Sequence, residues 1–237
     1  MITYRHLGRN GRLGNQLWQI ASTIGIARRR GETAGFPYWR YRPYFSVPDE
    51  FFPDLDAVDT HDLGLDYLQD LELLDGVDAD VRRYFRPHPG VWDRLSRRFD
   101  DLLALTHKTS VHVRRGDYLE HSDMFPPLPL EYYVRAMELT EGPYVVFSDD
   151  IEWCRRNLPD DCYFMEHNLD YEDLFLMAAC DQHITANSTF SWWSAWLSNT
   201  SAIYPSDWGP GFQYDSARNV PAGAVVLDVG VENESAA

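Results

Sequence analysis

The sequence predicts an α/β protein built on mainly parallel sheets. Three observations carry that prediction. From about residue 108 onward, short apolar runs alternate with segments of helical length and periodicity. Near the N-terminus a glycine-rich turn, GRNGRLGN, joins a first apolar run to a long amphipathic segment. And 44% hydrophobic with 14% aromatic residues over 237 positions is enough to bury a sizeable core, as one large domain or two small ones sharing a cleft.

Taken in order, MITYRHL reads as a strand, GRNGRLGN as a turn and QLWQIASTIGIARRR as a helix. Leu17, Ile20 and Ile24 lie at core-facing spacing in that helix, with basic residues and Gly31 at its end. TAGFPYW is a candidate second strand. Residues 40–90, rich in Pro, Asp, Tyr and Phe, read as loops and short helices on a small core. GVWDRLSRRFDDLLAL (90–105) reads as one amphipathic helix, leading from a first domain (1–105) into a second (106–237). There SVHVRR, YVVFSDD, CYFMEH, HITAN and SAIYPSDW are predicted strands, the last of these closing the series. PLEYYVRAMELT, DIEWCRRNL, YEDLFLMAAC and STFSWWSAWL are the helices between them. Strands and helices alternating at these lengths imply a parallel sheet covered on both faces.

The formal net charge of −16 argues against a broad nucleic-acid-binding face, which needs a basic stripe. Cys154, Cys162 and Cys180 show no metal-ligand spacing, and their odd number suits a reducing compartment. With no signal-like apolar run, a cytoplasmic location is expected, with at most peripheral contact at a membrane surface.

Ligands of parallel sheets bind beyond the carboxyl ends of the strands. Arg114–Arg115, Ser148–Asp149–Asp150 and Asn187–Ser188–Thr189 all fall at such ends. Two readings stand for the arginines: a guanidinium clamp for a diphosphate, or an ion pair with Asp117 and a nearby acid. At GRLGNQLWQ, the glycines permit close approach of an anion to a helix start, while a turn capped by Asn15 is the structural alternative. The third glycine of a dinucleotide fingerprint is missing, which disfavours a nicotinamide-dependent oxidoreductase. FSDD has the look of a paired-aspartate metal site. A capping box from Asp149 to Glu152 is the preferred reading, since no further ligand sits at suitable spacing, and no metal is predicted. In TANSTFSWWSAWL, hydroxyls and Asn187 line a helix start able to hold a phosphate. Trp192, Trp193 and Trp196 are read as core. Asp173 either charges a helix N-terminus or reads the N–H edge of a guanine.

Together GRLGNQLWQ, HVRRGDYL, DLFLMAACDQHI and NSTFSWWSAWL resemble the α1,2-fucosyltransferases of glycosyltransferase family eleven, and more distantly the α1,6- and protein O-fucosyltransferases. The match runs in the family's order from near residue 8 to near residue 208. The resemblance implies a GT-B-like fold, two Rossmann-like halves facing a cleft, with an acceptor-side first domain and a GDP-sugar-binding second one. It implies GDP-fucose as donor substrate, no cofactor, and a glycan acceptor, by default the 2-hydroxyl of a terminal galactoside. Arg115 would contact the β-phosphate with Arg114 in support, and His112 would lie by the nucleotide. Asp173 would read guanine, and Thr189, Phe190 and Ser191 would meet phosphate beside Asn187 and Ser188. Gly14 and Asn15 would close over the pyrophosphate or sugar. Transfer would invert the anomeric centre. Asp117 is the first candidate for the base, with Glu120 and His121 behind it. Another donor or acceptor, or a non-catalytic nucleotide-sugar or glycan-binding module, is the alternative reading. Residues 35–105 are the least family-like part.

Overall fold

The computed structural model describes residues 1–64, 66–212 and 214–230; positions 65 and 213 and the last stretch of the predicted second domain, 231–237, lie outside the described residues. By its internal contacts the chain divides into two compact units. One is Met1–Ala104 with Leu169–Phe175, and the other is Leu105–Asn168 with Leu176 onward.

The first unit holds a three-stranded parallel sheet of very short strands, β1 (Ile2–Thr3), β2 (Ala34–Gly35) and β3 (His61–Asp62), in the order β2-β1-β3. The chain leaves β1 through the glycine-rich turn into α1 (Leu13–Arg29), whose basic last turn, Arg28 and Arg29, suits the negative end of the helix dipole. Leu17, Ile20 and Ile24 of α1 are buried as their spacing predicts. Gly25 is required there: a Cβ would lie 1.7 Å from the Leu73 carbonyl oxygen. That carbonyl belongs to a 3-10 turn, Leu71–Leu74, packed on the helix. Three further helices follow, α2 (Asp78–Tyr84), α3 (Pro89–Arg98) and α4 (Asp100–Ala104). The single helix predicted over 90–105 is therefore two, because Phe99 leaves helical geometry at φ −126° and ψ 33°.

The second unit is a six-stranded, all-parallel sheet. Its elements run β4 (Thr109–Val113), α5 (Leu130–Glu138), β5 (Tyr144–Ser148), α6 (Ile151–Asn157), β6 (Tyr163–Phe164), α7 (Asp170–Ala178), β7 (Gln182–Ile184), α8 (Thr189–Ser198), β8 (Ser201–Pro205), α9 (Ser216–Asn219) and β9 (Val225–Leu227). The start of α7 packs with the first unit. Strand order is β6-β5-β4-β7-β8-β9. The chain thus starts in the middle, builds outward to one side, then returns to build the other, as in doubly wound nucleotide-binding sheets. The switch falls between β4 and β7. SAIYPSDW is not the last strand, since β9 extends the sheet beyond it from the apolar run AVVLDV.

Every residue of β4 is buried, the polar Thr109, Ser110 and His112 as well as Val111 and Val113, as befits a central strand of a parallel sheet covered on both faces. Val111 and Val113 join Val146, Ile184, Ile203 and the α5 tyrosines Tyr132 and Tyr133 in one core. Buried polar side chains beside it pair with one another: Ser110 Oγ lies 2.8 Å from His183 Nδ1, and His183 Nε2 lies 3.1 Å from Thr200 Oγ1. At α8, Trp192, Trp193 and Trp196 are buried and pack ring on ring at 5.0–6.1 Å, as core rather than as a sugar platform. All three cysteines are free and buried, and burial pushes their thiols up to about 11 for Cys154 and Cys162 and about 12 for Cys180. Among the described residues no helix is long and apolar enough to cross a membrane.

Gly25→Ala is expected to destabilise the protein by about 3 kcal/mol, the upper end for overpacking, because the added methyl meets backbone rather than a movable side chain. Urea unfolding measures it, and an unchanged midpoint would mean that α1 does not rest on the Leu73 carbonyl.

Candidate active site at the switch point of the second sheet

The three polar clusters expected on one edge follow β4, β5 and β7, so they flank the switch point at the carboxyl ends. Parallel pairing sets their mutual position. Val113 is in register with Ser148, so the next residues along the two chains are Arg114 with Asp149 and Arg115 with Asp150. Two adjacent arginines thereby meet two adjacent aspartates.

The two arginines are used differently. Arg114 spends both ends of its fork, donating from Nη1 to Asp149 Oδ2 and from Nη2 to Asp117 Oδ1. Its guanidinium carbon also sits 5.0 Å from the centre of the Tyr118 ring. Arg115 donates only from Nε, to Asp150 Oδ2 at 3.1 Å, and stacks over Trp153 at 4.3 Å. Among the described residues no hydrogen bond takes its two Nη groups. Of the two readings of the arginines, the ion pairs are thus present for both, while one fork stays available to an anion.

Asp149 does not cap α6. Its Oδ1 accepts from the backbone N–H of Arg115 (2.9 Å) and of Gly116 (3.1 Å). The cap is Asp150, whose Oδ1 accepts from Trp153 N at 3.1 Å. The expected box from Asp149 is corrected by one residue, because register draws Asp149 across to β4. Gly116 is tied to the same contact: a Cβ there would lie 2.4 Å from Asp149 Oδ2. Asp117 is engaged with Arg114, while Glu120 and His121 are exposed.

On the other side of the switch, Ser188 caps α8 and accepts from Phe190 N at 3.3 Å. Ser191 Oγ accepts from Ala186 N at 3.1 Å. Thr189 is buried in the same first turn, and the half-buried Phe190 ring lies 5.6 Å from the His112 ring. His112 is enclosed, and its Nδ1 finds no partner among the described residues. Burial, helped by the Arg114 charge and opposed by Asp149, holds its imidazole down to about 4, so it is neutral near pH 7. Asn187 is fully buried, with Nδ2 donating to the carbonyls of Pro126 (2.8 Å) and Trp208 (3.2 Å). Its amide ties together the loops after β4 and β8. Tyr118 hydroxyl donates to Asn187 O at 3.0 Å; burial pushes that phenol up to about 12, so it stays a donor.

The structure therefore brings together His112, Arg114, Arg115, Asp117, Asn187, Ser188, Thr189, Phe190 and Ser191. Asp173, Gly14 and Asn15 belong to the first unit. Arg12 occupies the cap position of α1 with no side-chain capping bond to the helix, and Asn15 lies within the first helical turn against Gly11. The turn is pinned from α1, by Gln16 Nε2 on Gly11 O and Gln19 Nε2 on Asn10 O, both 2.9 Å. Half-buried Asp173 follows Glu172, which is buried on Arg98 at 3.2 Å. Sequence reasoning places Asp149 and Asp150 at this edge but reads them as a helix cap rather than as partners of the arginines, and it does not single out Tyr118 or Trp153. Among the described residues no group of three or more His, Cys, Asp or Glu forms a metal-holding cluster.

A family model described as glycosyl transferase family 11 matches residues 98–213, the stretch that contains this arrangement. A galactoside 2-alpha-L-fucosyltransferase of Caenorhabditis elegans is 31% identical over 248 residues, covering 82% of this chain and 69% of that protein. The chain belongs to glycosyltransferase family 11. Among other relatives of the family-11 chain, an alpha-1,2-colitosyltransferase of Escherichia coli is 35% identical over 130 residues, covering 48% of this chain and 45% of that protein. An O-antigen biosynthesis glycosyltransferase of the same organism is 40% identical over 121 residues, covering 44% and 39%. The chain thus spans less than half the length of these two bacterial relatives. A solved structure of the NodZ alpha-1,6-fucosyltransferase soaked with GDP-fucose superposes with a TM-score of 0.56 at 14% identity, covering 83% of this chain and 91% of that one. That likeness shows the fold, which is GT-B-like, with two parallel sheets.

Two buried imidazoles make stability pH-dependent, since burial also holds His183 down to about 3. Between about pH 6.5 and 4 the unfolded chain takes up protons that the folded protein refuses. Stability is therefore full above pH 6.5 and falls as pH drops through that window, by on the order of 3 kcal/mol for His112. Urea unfolding from about pH 7 to 5 should show the decline, and His112→Gln should flatten part of it; a flat wild-type profile would contradict the neutral, buried imidazoles.

Proposed function

We propose that this protein is an inverting glycosyltransferase that moves fucose from GDP-fucose to a glycan hydroxyl, the 2-hydroxyl of a terminal galactoside, without a metal ion. The observation that carries this reading is the unspent fork of Arg115, fixed where β4 ends at the sheet switch point, with α8 starting after the neighbouring strand β7. A planar, permanently charged fork matches two oxygens of a diphosphate. Helix-start N–H groups add dipolar attraction on the other side. The names of the nematode relative, a galactoside 2-alpha-L-fucosyltransferase, and of the solved neighbour soaked with GDP-fucose support the donor and acceptor.

In this reaction the bond from sugar C1 to the diphosphate oxygen breaks, and its electron pair stays on the leaving nucleotide. The acceptor oxygen forms its bond to C1 from the opposite face and gives up its proton to solvent water. Charge thus grows on the diphosphate as the barrier is crossed, and the Nη groups of Arg115 stabilise it there more than in the ground state. Arg114, already committed to two carboxylates, supports rather than contacts the phosphate. We assign Asp117 the orienting role in which it is found, on Arg114. Neutral His112 offers the nucleotide a hydrogen bond without adding charge. The colitosyltransferase relative makes a colitosyl donor the second reading.

Turnover of GDP-fucose with a terminal galactoside, read by mass spectrometry, should persist in EDTA. It should fall about 10²–10³-fold in Arg115→Ala, the range seen when a charge-stabilising donor is removed. Arg115→Lys should recover only part, keeping the charge but losing the fork. Full activity in Arg115→Ala would sink the phosphate role, and turnover of a colitosyl donor alone would select the second reading.

A further inference from the structure

We propose that Asp149 and Asp150 are a positioning pair for the arginine clamp, with Asp150 setting the direction in which Arg115 presents its free fork. The proposal rests on the donor reading above for the identity of what Arg115 meets, but not for the arrangement itself.

Register supplies the first part of the argument. Strands β4 and β5 pair with Val113 beside Ser148, so the two arginines and the two aspartates emerge side by side from neighbouring strand ends. The second part is the division of labour. Asp149 holds one face of Arg114 and both backbone N–H groups at Arg115 and Gly116, which fixes where the Arg115 main chain leaves the strand. Asp150 then holds the Nε edge of the Arg115 guanidinium at 3.1 Å. A guanidinium is planar, so a carboxylate on its Nε edge together with the Trp153 ring at 4.3 Å fixes both its plane and its rotation. Only the Nη side is left to face a ligand. The third part is economy of attachment. The same Asp150 carboxylate caps α6 through its other oxygen, so the group that aims Arg115 is itself fixed by a helix start. The side chains of Arg115 and Asp150 are 17% and 25% exposed, so water screens their attraction only partly. Without this pair Arg115 would be a flexible cation near the site instead of an aimed donor, and misplacement costs rate more than binding.

Asp150→Asn separates aiming from folding, because asparagine still caps a helix but offers no charge to the guanidinium. The Nε–H signal of Arg115 in a nitrogen-15 spectrum, assigned by its loss in Arg115→Ala, reports the contact without any activity. It should be sharp in the wild type and broadened or lost in Asp150→Asn. In the same variant kcat for GDP-fucose should fall about tenfold while KM moves much less, and Asp150→Glu should restore part of kcat. Asp149→Ala should lower kcat further, since the main-chain anchor goes as well. An unchanged Nε–H signal and unchanged kcat in a folded Asp150→Asn protein would overturn the proposal. GDP titration by calorimetry separates the two levels. If Arg115→Ala binds GDP as well as the wild type while the Nε–H signal still depends on Asp150, the donor reading fails and the positioning of Arg115 stands.

Discussion

Register between β4 and β5 is the constraint on which the site depends. A slip of one residue would turn every side chain to the opposite face and would set the arginines against the wrong partners. The slip is forbidden by the core beneath: Val111 and Val113 fill one layer with Val146, and both strands are buried along their middles. The apolar packing of two five-residue strands thus fixes the position of four charged groups at their ends. Those charges could not hold that geometry alone, since isolated ion pairs near water contribute little.

From the same strand ends a frame of hydrogen bonds spreads across the sheet. Arg114 joins β5 to the turn after β4, the Tyr118 hydroxyl joins that turn to the segment after β7, and Asn187 joins that segment to the loop after β8. Each link is a donor on a buried or half-buried side chain that meets a main-chain carbonyl or a carboxylate. Such a frame explains why a tyrosine, an asparagine and a glycine stand beside the charged groups. Gly116 is in that company because any side chain there would occupy the position of Asp149.

Much of the second unit was legible in the sequence because its strands are long enough to show an apolar run and its helices long enough to show a period. Asn187, Ser188, Arg114 and Arg115 were placed at strand ends for that reason alone. What escaped has physical causes. The strand pairs of the first sheet are only two residues long, too short for any periodicity, so β3 was hidden among loops. Phe99 breaks a helix within a segment whose amphipathic pattern continues across it. Asp149 and Asp150 are both good caps locally, and only pairing with β4 decides which one is used. The grouping of residues 169–175 with the first unit is a tertiary outcome: Tyr171 stacks on Tyr44 at 3.8 Å, Glu172 pairs with Arg98, and Asp170 accepts from Tyr41. No local feature of YEDLFLM announces those partners.

Trp153 has a consequence for how the molecule can be watched. Six of the eight tryptophans, Trp18, Trp39, Trp192, Trp193, Trp196 and Trp208, are sealed in the interior and give a steady emission background. Trp153 is only partly enclosed and lies against the guanidinium of Arg115. Its indole is therefore a built-in chromophore at the charged centre, lit by ultraviolet light and sensitive to changes in the field around Arg115.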